Sequence, residues 1–128
     1  MILYVSFEYV LEIHDKLIEE YGGRKGLLHE GLLHSALEMP RASFHGRDLH
    51  RTIFDKSAAY LFHLIQNHPF VDGNKRTAAM VAMVFCGSNR QGLTIYEADY
   101  QDLILRVAQG AVTKKEIARF FRNSCKKS

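Results

Sequence analysis

The sequence predicts an all-α fold, a compact bundle of about six helices in a single domain. Three observations carry this prediction. Apolar residues recur at the three- and four-residue spacing of a helix face through most of the 128 residues. Serine or threonine stands where several of those stretches begin, and glycine or proline where they end. Only Leu93 to Tyr96 reads as extended chain. A chain of this length with 47% hydrophobic and 24% charged residues can bury one core. One domain over residues 1–128 is therefore expected, with its packed part at about 4–122.

The first helix is expected from about Ser6 to Tyr21, where Val10, Ile13, His14, Leu17, Ile18 and Tyr21 share a face. Ser6 suits the N-cap, Glu8 the first turn, and Gly22-Gly23 the stop. A short second helix near Glu30 to Glu38 carries Leu32, Leu33, Ala36 and Leu37 and ends before Pro40. Residues 39–51 lack periodicity, contain Gly46 and read as an exposed loop. Thr52 with Asp55 starts a third helix, whose face of Phe54, Ala58, Leu61, Phe62 and Ile65 runs to about Asn67. Ala78 to Phe85 is apolar nearly all round and is expected to be the central buried helix. A fifth helix covers Ala98 to Gln109 and stops at Gly110. Thr113 with Glu116 makes a capping box for a last helix carrying Ile117, Ala118, Phe120 and Phe121.

Composition excludes several classes of function. The net charge of +3 is too slight to demand nucleic acid as a partner. Lys114, Lys115, Arg119, Arg122, Lys126 and Lys127 alternate with core residues and read as the solvated face of the last helix. The longest apolar stretch is far short of a membrane span, and the N-terminus lacks a signal-peptide layout. Cys86 and Cys125 form no Cys-x-x-Cys and suit reduced thiols, so a cytoplasmic protein is expected, with no membrane and no direct nucleic-acid partner.

Residues 68–76, His-Pro-Phe-Val-Asp-Gly-Asn-Lys-Arg, concentrate the chemistry. Pro69 disfavours helical geometry at His68, Gly73 permits a tight bend, and Asn74 to Thr77 open the next helix. The first N–H groups of a helix have no internal partner and sit at the positive end of its dipole, which suits phosphate. Lys75 and Arg76 add two charges there, so a base stands beside an anion cradle. A Walker loop is excluded, because its glycine and lysine spacing and its preceding strand are missing. The histidines are poorly spaced for a metal: His29/His34, His45/His50 and His63/His68 are each five apart. Five residues turn a helix by about 500°, leaving the rings roughly 140° apart. His14 and His63 read as semi-buried helix residues, and His29, His34, His45 and His50 as surface ones.

The run from His68 to Arg76 closely resembles the signature of the Fic/Doc superfamily, in its death-on-curing (Doc) branch. The general Fic pattern is His-Pro-Phe-x-Asp/Glu-Gly-Asn-Gly-Arg-x-x-Arg. Similarity extends to Ile13-His14-Asp15, Tyr21-Gly22-Gly23, Gly31-Leu32-Leu33, Ser35-Ala36-Leu37 and Thr77-Ala78-Ala79, so it spans nearly the whole chain. The resemblance implies a helical bundle with His68 as catalytic base, Asp72 as the ligand of Mg²⁺, and Gly73, Asn74, Lys75 and Arg76 cradling the phosphates of ATP. It implies that Phe70 anchors the loop and that Arg41 to Arg51 forms a flap over the target.

Lys75 stands where adenylyl-transferring members have glycine, and Ala79 where they have the second arginine. By similarity to the Doc branch, this implies ATP bound in the reverse sense with its γ-phosphate toward the acceptor. The expected activity is a toxin kinase that phosphorylates a threonine of elongation factor Tu and blocks translation. Two other readings remain open: nucleotidyl transfer to a protein hydroxyl, and a catalytically silent module that binds an antitoxin and a DNA-bound repressor. The segment Gly26 to Gly31 lacks the hydroxyl residue of the Fic inhibitory helix. Restraint is therefore expected from a separate antitoxin of the Phd type, folding a helix onto the toxin. Gln66 is neutral where some Doc-like members offer a further cation to phosphate.

Overall fold

The computed structural model describes residues 1–125. Six helices dominate it: α1 (Phe7–Tyr21), α2 (Glu30–Glu38), α3 (Ile53–Asn67), α4 (Asn74–Ser88), α5 (Glu97–Ala108) and α6 (Lys114–Asn123). The all-α expectation holds, and the capping residues are where the sequence put them. Ser6 Oγ accepts from Tyr9 N at 3.1 Å, and both Thr52/Asp55 and Thr113/Glu116 form reciprocal capping boxes. Gly22 ends α1 with φ 87°. Apolar side chains from all six helices, among them Val10, Leu33, Leu61, Val81, Leu103 and Phe121, meet in one core.

The central helix is α3, not α4. Lys56 to Leu61, with Leu64 and Ile65, are buried on α3, so nearly its whole girth is enclosed. On α4, Val81, Ala82 and Phe85 face the core, but Met80 is exposed and Ala79 and Met83 are half-covered. Helix α5 shields only part of that outer strip, pinned by Tyr100 Oη donating to the Ala79 carbonyl at 2.8 Å. An all-apolar segment normally marks an enclosed helix. Here the surplus apolar face borders a cavity instead.

Residues 39–51 are more ordered than a loop. A 3-10 turn, Met39–Arg41, leads into a two-stranded antiparallel hairpin, β1 (Ser43–Phe44) with β2 (Arg47–Asp48), pairing Ser43 with Asp48 and Phe44 with Arg47. His45 (φ 51°) and Gly46 (φ 75°) form its two-residue turn, both in the left-handed region that matches strand twist. Lys56, fully buried, donates to Asp48 Oδ2 at 3.0 Å and to the Pro40 carbonyl at 3.3 Å, clamping the hairpin to the first turns of α3. Strands this short leave no periodicity to read.

The terminal helix also departs from expectation. Lys115 and Arg119 are solvated, but Lys114 is half-buried, with Nζ bonded to His50 Nε2 at 3.2 Å and His63 Nε2 at 3.0 Å. His50 is therefore not a surface histidine. Burial, then the Lys114 charge, pushes His63 down to about 4 and lowers His50, while burial lowers Lys114. Lys126 and Lys127 of the same basic run lie outside the described residues. Among the described residues, no helix is long and apolar enough to cross a membrane.

Candidate active site

The chain leaves α3 at His68, which adopts φ 48° and ψ 56° as its C-cap, and enters α4 at Asn74. A left-handed backbone at a histidine is uncommon and persists only where the surroundings impose it. Pro69 disfavours right-handed helical geometry at the preceding residue and so ends α3, but by itself it favours extended backbone there and does not impose the left-handed turn. That constraint comes from strand-like pairing with the α1–α2 connection. Leu28 N and His29 N donate to the Pro69 carbonyl at 2.8 and 2.9 Å, and Val71 N donates to the Gly26 carbonyl at 3.0 Å.

Two further side chains fix the loop from below. His14 lies on the buried face of α1, its ring parallel to Phe70 at 3.8 Å between centroids. His14 Nε2 lies 2.8 Å from the Asp72 carbonyl, and because a carbonyl only accepts, Nε2 carries the hydrogen. The Asn74 amide closes on Phe70, with Oδ1 accepting from Phe70 N and Nδ2 donating to its carbonyl, both at 2.9 Å. Phe70 is 1% exposed and Asn74 5%, so this bracket is enclosed. The Asn74 Oδ1 and one Nδ2 hydrogen are thus engaged by the loop. Its second Nδ2 hydrogen and its backbone N–H are not used by that bracket.

Above this base the polar groups stay accessible. Asp72 Oδ2 accepts from Arg24 N at 3.2 Å and Oδ1 from Gly73 N at 2.9 Å. These N–H groups, Arg24 first, hold its carboxyl below the usual carboxylate range. An ionised, solvent-facing carboxylate with lone pairs to spare suits Mg²⁺, which takes one or two protein oxygens and completes its shell with phosphate and water. Gly73 (φ 75°) is the N-cap of α4 and supplies no side-chain cap, leaving the first N–H groups of that helix free of one. A Cβ at Gly73 would lie 3.1 Å from Ile18 Cδ1, and one at Gly23 would lie 2.8 Å from Asp72 Oδ2. Their positive φ, 113° at Gly23 and 75° at Gly73, strains any other residue there, and the side-chain tips they meet would have to shift for a Cβ.

A cavity of about 710 Å³ opens over these groups. His68, Asp72, Gly73, Lys75 and Arg76 border its polar end, and Ala79, Met80, Met83, Ile104 and Leu105 its apolar end. The structure therefore brings every expected site residue to one place, with Asn74 turned inward. The guanidinium of Arg76 lies over the ring of Tyr21 at 4.3 Å. Gln66 sits elsewhere, donating to the Val107 carbonyl at 2.8 Å. The hairpin is remote as well. Lys56, which holds it, and His68 stand at opposite ends of α3, roughly 18 Å apart at 1.5 Å per residue.

Sequence reasoning missed His14, Tyr21, Arg24 and the α5 wall. His14 carried a signal, since a polar ring inside an otherwise apolar stripe needs a buried partner. Arg24 carried none, because it acts through its backbone.

A family model described as Fic/DOC family matches residues 4–86, which include α1 to α3, the loop and most of α4. The chain belongs to the Fic/DOC family. Among curated Fic/DOC relatives, "Toxin Doc" of Mycolicibacterium smegmatis (strain ATCC 700084 / mc(2)155) is 42% identical over 69 residues, 54% of this chain. That match spans about half, 53%, of the relative's length. "Protein kinase doc" of Escherichia phage P1 is 28% identical over 120 residues, 93% of each chain.

Proposed function

We propose that the protein is the toxin of a toxin–antitoxin pair and transfers the γ-phosphate of ATP to a protein hydroxyl, the favoured target being a threonine of elongation factor Tu. The observation that carries the reading is the shared cavity, where His68, the Asp72 carboxylate, the α4 N-terminus without a side-chain cap and the Lys75 and Arg76 cations face one space. The relatives' names, one a toxin and one a protein kinase, support it.

In this reading His68 takes the proton of the acceptor hydroxyl as that oxygen bonds to the γ-phosphorus and the bond to the β–γ bridging oxygen breaks, leaving ADP. Lys75, Arg76 and the first N–H groups of α4 hold the phosphate oxygens and offset the charge that develops during transfer. Asp72 would hold Mg²⁺, which supplies charge neutralisation across the phosphates. Lys75 also occupies the place of the glycine that lets a diphosphate lie against the backbone in adenylyl-transferring members. This favours the phosphoryl over the nucleotidyl reaction. Exposed Met80 and Leu105 at the cavity's apolar end offer a strip to the helix of a Phd-type antitoxin.

The test is incubation with elongation factor Tu and ATP labelled at either the α or the γ position, using wild-type protein and His68→Ala. Label from the γ position alone, lost in the variant, is expected. Label from the α position alone would replace phosphorylation by nucleotidyl transfer. No label from either, with His68→Ala equally toxic to cells, would point to the silent binding module.

A further inference from the structure

The polar end of the cavity depends on how one peptide unit, Asp72–Gly73, is turned. Its carbonyl points inward, 2.8 Å from His14 Nε2 on α1. In a trans peptide the N–H and C=O point in opposite directions, so the Gly73 N–H points outward, where Asp72 Oδ1 accepts it at 2.9 Å. Gly73, at φ 75° and ψ 18°, has the angles of the third residue of a type II turn. Turning the peptide over converts such a turn to type I with little change in chain path, and glycine accepts either sign of φ. The glycine thus leaves the orientation of this peptide to its partners.

We propose that His14 is a positioning residue for phosphate and metal binding: its Nε2–H holds the Asp72 carbonyl inward and so keeps the Gly73 N–H and the Asp72 carboxylate facing the cavity. This rests on the reading of the loop as the site of ATP and Mg²⁺. Turned over, the peptide would aim a carbonyl oxygen at the space that phosphate oxygens need. Asp72 Oδ1 would also lose the N–H that orients it toward a cation.

The ring is built in for this task. His14 is 2% exposed and stacked on Phe70, with 3.8 Å between centroids and 7° between planes. A Cβ on Gly73 would lie 3.6 Å from His14 Nε2, so the ring abuts the turn as well as the carbonyl. Asp15 Oδ1 stands 3.9 Å from Nδ1, beyond hydrogen-bond distance. Asn74 cannot substitute, because its amide brackets Phe70 and leaves the Asp72 carbonyl to His14. The partners are 58 residues apart in sequence, and packing of α1 beneath the loop brings them together.

The experiment measures binding of the non-hydrolysable imido analogue of ATP, with Mg²⁺, to the full chain by calorimetry. His14→Phe keeps a ring against Phe70 and removes the donor. It should weaken binding at least about tenfold, the usual cost of losing a group that orients a metal ligand. His14→Gln removes the ring and returns an N–H at similar reach, so it should recover most of that loss. A role in packing alone gives the reverse order, with His14→Phe close to the wild type. That order, or two variants equally weak, would overturn the inference while wild-type binding leaves the ATP reading intact. A wild type that binds no analogue removes the ATP reading and the inference with it. Ligand-free melts check that each variant folds, and His14→Met, which has the reach but no donor, replaces His14→Phe if that variant does not.

Discussion

Replacing Asn74 by alanine separates a scaffolding residue from a ligand. In the structure its amide is the hydrogen-bond partner of both Phe70 N and the Phe70 carbonyl, each at 2.9 Å. The flanking pairing with the α1–α2 connection uses Pro69 and Val71 and leaves Phe70 to this amide. Asn74→Ala therefore orphans one donor and one acceptor on a residue that is 1% exposed. Each orphaned buried group costs about 1–3 kcal/mol. The solvated face of the loop lies close enough for water to recover part of that cost, so a loss of about 2–4 kcal/mol is expected. With a urea slope of about 2 kcal/mol/M, this moves the midpoint down by about 1–2 M at unchanged slope. Urea unfolding followed by far-UV circular dichroism measures it. A loss below about 0.5 kcal/mol together with abolished nucleotide binding would refute the reasoning, because the amide would then face the ligand and not Phe70.

Three other outcomes follow from the geometry. His68→Asn should leave stability unchanged or raise it by less than about 1 kcal/mol in urea titration, since asparagine tolerates the left-handed backbone, while transfer falls by about 10²–10⁴-fold. Asp48→Ala should destabilise more than Lys56→Met, by about 2–4 kcal/mol in the same assay. The first strands a fully buried ammonium, whereas the second leaves a carboxylate that is 47% exposed. His63, held down to about 4 by burial and then by Lys114, favours folding in its neutral form. Its contribution is complete above the unfolded value near 6.5 and is lost as pH falls toward about 4, so the thermal midpoint should drop across that window, less steeply in His63→Gln.

The helices were legible because their signals are local. Ser6, Thr52 and Thr113 cap where they stand, and Pro69 and Gly73 constrain their own and adjacent backbone whatever the rest of the chain does. The composition of the candidate site was legible for the same reason, since nine consecutive residues carry it. The hairpin was not, because two-residue strands leave no alternation, and its clamp, Lys56, reads in sequence as an ordinary charged residue.

By itself the sequence determined which segments coil, where they stop, and that a base, a carboxylate and two cations flank one helix start. Only the tertiary structure decided how those groups are used. It turned the Asn74 amide inward onto Phe70, placed His14 beneath the Asp72 carbonyl, and opened the apolar side of α4 to a cavity. It also gathered His50, His63 and Lys114 at one point. Propensity and capping act within a few residues of chain, whereas a side chain's partner is set by whichever elements packing brings beside it.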